Sequence, residues 1–301
     1  MAAKFRRNHI ARKGGSGFLR IIIFAMILVL SLWYLVKQIG NLDLDNKFQE
    51  SDRILTDSTM MMSLKLVTPV DVEIIDHGYY TLGYNEAHEQ AEWVSYILTA
   101  ELLKAPNVPR TDWFSEDPDV KTGSAHHRDY IRSGYTRGHL IPAADVAFSD
   151  ASMESSFYMS NISPQLASFN GGVWRELEET VRQWAYRYDT LYIVTGPVLS
   201  VEPVEWIGKT SSVAVPAFFY KAILNKDAQA VAFILPHRLS TEPIREFAVT
   251  IDSLEEFTGL EIYDDILPDS IEVRVEKEMD LSLWPADPSK YSKRINKWNK
   301  R

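Results

Sequence analysis

The chain contains no cysteine. Thiolate nucleophiles, cysteine-based zinc sites, iron–sulfur clusters and disulfide frameworks are therefore outside its chemistry. It has no internal repeat and no glycine-rich phosphate loop, which removes repeat architectures and P-loop nucleotide binding. It is not short of core material: 301 residues, 46% apolar and 24% charged, make a globular chain with a large interior. A net charge of −9 and a pI near 5.3 argue against a simple basic nucleic-acid-coating protein.

The net charge averages two unlike regions. From Met1 to Val36 there is no acidic residue, while Lys4, Arg6, Arg7, Arg12, Lys13 and Arg20 are cationic and Lys37 follows. Without those 7 cations, residues 38–301 hold 25 basic against 41 acidic residues, a charge of −16. Between the cations, Ile21 to Val36 is uncharged and strongly apolar. As a helix it would span about 24 Å at roughly 1.5 Å per residue. Phe18 and Leu19 extend it toward a ~30 Å hydrocarbon core if Arg20 and Lys37 snorkel, and Trp33 and Tyr34 suit an interface belt.

The run reads as an uncleaved anchor with its amino terminus cytoplasmic and the following domain on the periplasmic or extracellular side. A cleaved signal would need small residues after the apolar core, and Tyr34-Leu35-Val36-Lys37-Gln38 has none. A mitochondrial leader, basic and poor in acids, is the alternative. The resulting organisation is a basic tail (1–17), a single transmembrane helix (18–38), a polar linker (39–68), a folded domain (69–280) and a basic C-terminal tail (281–301), expected to be solvated and frayed.

Within the domain, residues 79–84 have strand propensity, and Asn85 can cap a helix through Ala91, Trp93, Val94, Ile97 and Leu98 to about Leu103, stopped by Pro106 and Pro109. An irregular stretch, 105–168, precedes a helix from Asn170 to Tyr188. Residues 190–195 form a buried strand, and 213–224 with 228–235 form a hairpin about Asn225-Lys226-Asp227. A short helix, 253–257, ends at Gly259. Strands and helices interleave without a βαβ rhythm, so the class is α+β.

Chemistry concentrates in two places. The first is Ser133-Gly134-Tyr135-Thr136-Arg137-Gly138-His139-Leu140. Histidine is the side chain best matched to proton abstraction near neutral pH. An arginine two residues away on a strand shares its face and offers a planar fork to phosphate oxygens. Glycine between them allows close approach of a substrate backbone. The second is Asn161-Ile162-Ser163-Pro164-Gln165, then Asn170 through Trp174, Leu177 and Glu178 to Arg182. On a helix Trp174, Leu177, Val181 and Trp184 make one apolar stripe, with Asn170, Glu178 and Arg182 beside it. Amide oxygen, carboxylate and guanidinium suit a hydrated divalent cation with a phosphate; an amphipathic helix with a solvated polar flank has the same spacing. His126, His127, His77 and His88 show no metal-binding spacing and read as exposed-loop residues.

Together these segments resemble the DNA/RNA non-specific endonucleases, the ββα-metal family that includes secreted bacterial sugar-non-specific nucleases and mitochondrial endonuclease G. The likeness rests on Thr136-Arg137-Gly138-His139, Asn161-x-x-Pro164-Gln165, and Asn170-x-x-x-Trp174-x-x-Leu177-Glu178 with Arg182. It extends through residues 91–96, Arg110, Phe114, Asp117, residues 195–197, Val215-Pro216 and Phe219-Tyr220-Lys221, or about 70–265. The resemblance implies a ββα-metal nuclease fold, with a central, mostly antiparallel sheet flanked by helices. It also implies cleavage of DNA and RNA, with His139 as general base and Asn170 as the direct protein ligand of a hydrated Mg²⁺, or Mn²⁺. Glu178 would hold the metal's waters, and Arg110, Arg137 and Arg182 would bind phosphates and stabilise developing charge. Products would carry 5′-phosphates. The family's first box residue is Asp and here it is Thr136, so carboxylate support at that position is absent. The resemblance leaves a homodimer open. It also leaves two other functions open, a membrane-anchored non-catalytic nucleic-acid-binding module and a phosphodiesterase for smaller substrates.

Overall fold

The computed structural model describes residues 70–263, 267 and 269–299, together with Met26, Leu30, Ser31, Trp33 and Tyr34. Those five positions are helical and exposed; the rest of the expected 18–38 anchor, the 1–17 tail and the 39–68 linker lie outside the described residues. Among the described residues no helix is long and apolar enough to cross a membrane. The chain divides into two compact units, Met1–Leu55 and Thr56–Arg301, and all the elements below belong to the second.

Eleven strands are present among the described residues: β1 (Glu73–Asp76), β2 (Thr81–Asn85), β3 (Gln90–Thr99), β4 (Thr136–His139), β5 (Ile162–Gln165), β6 (Thr190–Pro197), β7 (Glu205–Ile207), β8 (Val213–Val215), β9 (Phe218–Asn225), β10 (Ala230–Pro236) and β11 (Ala248–Val249). The α-helices are α1 (Ala100–Lys104), α2 (Asp150–Ser155), α3 (Ala167–Phe169), α4 (Arg175–Tyr188), α5 (Ile251–Thr258), α6 (Asp269–Lys277) and α7 (Pro288–Lys293). Seven strands form one sheet in the order β1-β2-β3-β6-β9-β10-β11, and every neighbouring pair is antiparallel. The α+β class holds, with an antiparallel sheet and helices packed on it.

The expected helix after Asn85 is instead the central strand β3, followed by the single turn of α1. Every residue of β3 except Ile97 and Thr99 is buried, because it lies between β2 and β6 with both faces covered. A strand buried on both faces carries apolar residues at every spacing, so the helical pattern Ala91, Val94, Leu98 is contained in it by default. Asn85 caps nothing; its Nδ2 donates to Glu92 Oε2 at 2.6 Å across the β2–β3 turn. The hairpin over 213–235 also divides. Pro216 ends β8, which pairs with β7, and β9 starts afresh against β6 and β10. The turn itself is as expected, with Asn225 Oδ1 accepting from the N–H of Asp227 (2.9 Å) and Gln229 (3.1 Å). α5 ends on Gly259 with φ +77°, the left-handed cap that favours glycine.

α4 buries the predicted stripe: Trp174, Leu177, Val181 and Trp184 are each at most 2% exposed. The Trp184 ring stacks on Phe233 of β10 and the Trp174 ring packs against Phe219 of β9, so the helix lies across the sheet face. Its N-terminal entry is irregular. α3 leads into a π-type turn, Asn170–Trp174, broken at Gly172 (φ −106°, ψ −112°).

The C-terminal segment is not a frayed tail. Trp284 and Trp298 are buried, and Arg294 is fully buried. Its guanidinium donates to Glu176 Oε2 of α4 at 2.6 Å and to the Ser240 carbonyl at 2.6 Å and the Glu242 carbonyl at 2.5 Å. Lys290 Nζ reaches the Glu179 carbonyl at 3.0 Å, and Arg175 lies 4.4 Å over the Trp298 ring. Charges that read as a solvated run are ion-pair partners for the acids of α4. Removing one member of a buried pair leaves the other desolvated and alone. Arg294→Ala should therefore lose about 3–5 kcal/mol of unfolding free energy in urea titrations, whereas Lys297→Ala should stay within about 0.5 kcal/mol of wild type.

Candidate active site

β4 and β5 form a separate two-stranded antiparallel sheet, pairing Thr136 with Gln165, Arg137 with Pro164, Gly138 with Ser163 and His139 with Ile162. The irregular entry to α4 follows directly, giving two strands and a helix. Alternation along β4 places Arg137 and His139 on one face and Thr136 and Gly138 on the other. Phe114 touches both members of the first pair: its ring is 5.6 Å from that of His139, and the Arg137 guanidinium sits 4.3 Å over it. Phe157 closes the other side, edge-on to His139 at 4.7 Å, with Arg110 lying 5.0 Å over its ring. His139 is thus held between two phenylalanines, each carrying an arginine.

Its Nε2 is buried and has no hydrogen-bond partner. Burial, and then the charges of Arg110 and Arg137, push the imidazole pKa down from the ordinary 6.5 to about 3. The ring is therefore neutral throughout the physiological range. The turn after it is fixed by Asn161, whose Oδ1 accepts from Ile141 N–H (2.9 Å) and whose Nδ2 donates to the carbonyls of Ile141 (3.1 Å) and Ser156 (2.8 Å).

Asn170 sits at the start of the broken turn, its backbone N–H bonded to the Leu166 carbonyl at 2.9 Å. Its Nδ2 donates to Thr136 Oγ1 at 3.0 Å, and the Thr136 hydroxyl donates to the Gln165 carbonyl at 2.8 Å. Among the described residues the Asn170 carbonyl oxygen has no partner. A neutral, anchored amide oxygen left open fits a hard divalent cation that keeps most of its waters.

Farther along α4, Glu178 and Arg182 belong to a buried charge network. Arg182 donates to Asp145 Oδ1 at 2.7 Å, and Tyr96 OH donates to Asp145 Oδ2 at 2.9 Å. The phosphate contact expected of Arg182 thus meets a guanidinium already paired to Asp145. Burial drives the Glu178 pKa up, opposed by Arg182 and Lys221. It drives that of Lys221 down, opposed by Glu178 and Asp145. Lys221 is 1% exposed, its Nζ has no hydrogen-bond partner, and it lies 4.9 Å over the Trp174 ring.

Residues 57–269 match the DNA/RNA non-specific endonuclease family. The chain belongs to that family. It is 36% identical over 209 residues to the mitochondrial nuclease of Saccharomyces cerevisiae, a match covering 62% of this chain and 64% of the yeast protein. Human mitochondrial endonuclease G is 33% identical over 207 residues, covering 62% of this chain and 68% of the human protein. A solved EndoG/EndoGI complex, studied for the mechanism of EndoG inhibition, superposes with a TM-score of 0.60 at 31% identity, covering 66% of this chain and 89% of that one.

Two features of the nuclease motifs have other tasks than expected. Gly138 does not make room for a substrate backbone: a Cβ there would fall 2.1 Å from Cδ and Oε1 of Gln165, so the glycine admits that side chain. Thr136 does not leave its position unsupported, since its hydroxyl holds the Asn170 amide. Asp145, Lys221, Phe114 and Phe157 were not singled out for the site by sequence. For Lys221 a signal existed, a lone cation amid Phe-Phe-Tyr and Ala-Ile-Leu. The four histidines expected in exposed loops are distributed over three places. His126 and His127 stack on each other at 4.1 Å, His88 stacks on Trp206, and His77 Nε2 bonds Asp117 Oδ2 at 2.9 Å. His77, Asp117 and Asp119 are the one converging set of potential metal ligands among the described residues, with ligand atoms within 4.8 Å of one another. Asp117 also accepts from the Ser160 hydroxyl and the Asp119 N–H, bonds that tie down the loop bearing Arg110 and Phe114.

The depressed pKa of His139 carries a stability consequence. Between pH 6.5 and 3 the unfolded chain binds a proton at this ring and the folded chain does not, so this contribution is complete above pH 6.5 and is lost as the pH falls through that window. His139→Asn should flatten the pH dependence. Urea midpoints at about pH 7.5 and about pH 5 should fall less on acidification in the variant than in wild type.

Proposed function

We propose that this chain is a metal-dependent, sequence-non-specific endonuclease that hydrolyses phosphodiester bonds of DNA and RNA and leaves 5′-phosphate ends. The observation that carries the reading is the neutral, unpartnered Nε2 of His139 between two arginine-bearing phenylalanines, joined through β4 to an Asn170 whose carbonyl oxygen is open. Arg137 and Arg110 receive the phosphate, where fixed guanidinium groups stabilise charge that develops during displacement. His139 Nε2 takes the proton of the attacking water; burial keeps the ring neutral for that task, and an arriving phosphate opposes the two arginines that also depress its pKa. Asn170 holds the cation, Mg²⁺ or Mn²⁺, through its carbonyl oxygen. The chemistry supplied there, when bound, is neutralisation of charge on the phosphorus oxygens and the departing 3′-oxygen. Glu178, kept from full protonation by Lys221 and Arg182, orients the waters around that site.

Substrate attraction is local. A stretch with a charge of −16 over residues 38–301 repels nucleic acid as a whole, so binding rests on Arg110 and Arg137 and on contacts to the backbone rather than to bases. Of the two placements, the mitochondrial one draws support from relatives described as mitochondrial and from the basic, acid-free leader. The extracytoplasmic placement rests on the apolar run with its flanking cations and the Trp33-Tyr34 pair.

Supercoiled plasmid and total RNA, digested with and without EDTA, test the activity directly. Wild type should cut both and lose cutting in EDTA. His139→Ala should lower the rate by about 10²–10⁴-fold while the variant still folds and melts cooperatively, and near-normal cutting by that variant would sink the assignment. Asn170→Ala should raise the Mg²⁺ concentration needed for half-maximal rate as well as lowering the rate itself; an unmoved titration would contradict the ligand role.

A further inference from the structure

The Thr136 hydroxyl has one proton, and the Gln165 carbonyl takes it at 2.8 Å. A carbonyl can only accept, so the direction of that bond is settled by chemistry and the oxygen of Thr136 turns its lone pairs to its other neighbour. That neighbour is the carboxamide of Asn170, 3.0 Å away through Nδ2. Were the carboxamide reversed, two oxygens without a proton between them would face each other. Reversal would require the hydroxyl to abandon the Gln165 carbonyl, a loss comparable to one hydrogen bond. Thr136 cannot drift from this post, because the β4–β5 register sets it opposite Gln165, while the backbone of Asn170 is bonded to Leu166.

We propose that Thr136 is the positioning residue of the site: by giving its proton to Gln165 it selects the orientation of the Asn170 carboxamide and turns the carbonyl oxygen outward as the ligand of a divalent cation. This inference rests on the metal-dependent reading above. It assigns a task to the one box position that departs from the family pattern. A hydroxyl accepts the Asn170 N–H without placing another negative charge beside a phosphate site that depends on two arginines for its attraction. Specificity for orientation comes from a relay of two neutral hydrogen bonds, and Arg137 keeps its full charge for the substrate.

Calorimetric titration of the full chain with Mn²⁺, in the absence of nucleic acid, tests the inference, with the melting temperature of the metal-free protein as a second readout. Thr136→Val keeps the shape of the side chain and removes the acceptor, and its Mn²⁺ dissociation constant should rise about tenfold or more, the range for partners of metal ligands. Thr136→Ala should behave alike and covers the case in which the valine variant does not fold. Thr136→Ser restores the hydroxyl and should recover most of the affinity. A merely structural Thr136 would lower the melting temperature of the valine and alanine variants and leave their Mn²⁺ affinity at the wild-type value, and that result overturns the inference. If wild type binds and cuts with metal while these variants bind as well as it does, only the role of Thr136 falls. If wild type binds no Mn²⁺ and cuts nothing with either metal, the metal-dependent reading falls and this inference with it.

Discussion

The pairing of β4 with β5 sets the arrangement of the site, and Gly138 leaves room within it for a side chain of the opposite strand. A methyl group there would fall 2.1 Å from Cδ and Oε1 of the buried Gln165 side chain, so glycine at this position is what lets Gln165 keep its place. The register sets Thr136 opposite Gln165 and His139 opposite Ile162. A slip of one residue would send His139 and Arg137 to the face now occupied by Thr136, away from Phe114 and Phe157. Asn161 then locks the turn beyond His139, and Trp174 Nε1, 3.4 Å from the His139 carbonyl, joins the strand to the helix that bears Glu178.

Burial does opposite things at the two ends of the site. Around His139 it removes water from a base and keeps it neutral, with two arginines pushing the same way. Along α4 it gathers Asp145, Arg182, Glu178 and Lys221, where it pushes the Glu178 carboxyl up and the Lys221 amine down and the opposite charges around them oppose both shifts. The C-terminal segment extends that economy of charge: Arg294 and Lys290 meet Glu176 and Glu179 on the outer side of the same helix. Asn299, 3.0 Å from the place a Cβ of Gly172 would occupy, packs against the broken turn that follows Asn170. The helix carrying the proposed metal-site residues is therefore braced from the sheet, from β4 and from the chain's own end.

The motif segments pointed to chemistry through their combined resemblance to one family, since spacing alone is shared with an ordinary amphipathic helix, and the strand 190–195, the helix to Tyr188 and the Gly259 cap followed from local rules. The β3 strand was not legible. Its apolar residues satisfy a helical and a buried-strand pattern at once, and only its neighbours β2 and β6 choose between them. The C-terminal cations were misread for a related reason, since a run of Lys and Arg has the same sequence whether water or α4 supplies its counter-charges. Gly138 and Thr136 were assigned to substrate and to absence, respectively, because the partner that gives each its role, Gln165, is 27 and 29 positions away.

What the sequence determined by itself is chemical identity: a cysteine-free chain, a cationic leader before an acidic domain, a histidine with an arginine on its strand face, and an asparagine and glutamate on one helix. The tertiary structure alone decided which of these groups are free to react. The His139 ring is held neutral by burial against Phe114 and Phe157 and by the charges of Arg110 and Arg137, the Asn170 side-chain oxygen is left open while Thr136 holds the other end of the amide, and Arg182 is occupied because Asp145 folds against it. Reactivity of a side chain depends on its solvation and on which hydrogen bonds are already taken, and both are properties of contacts between residues distant in the chain.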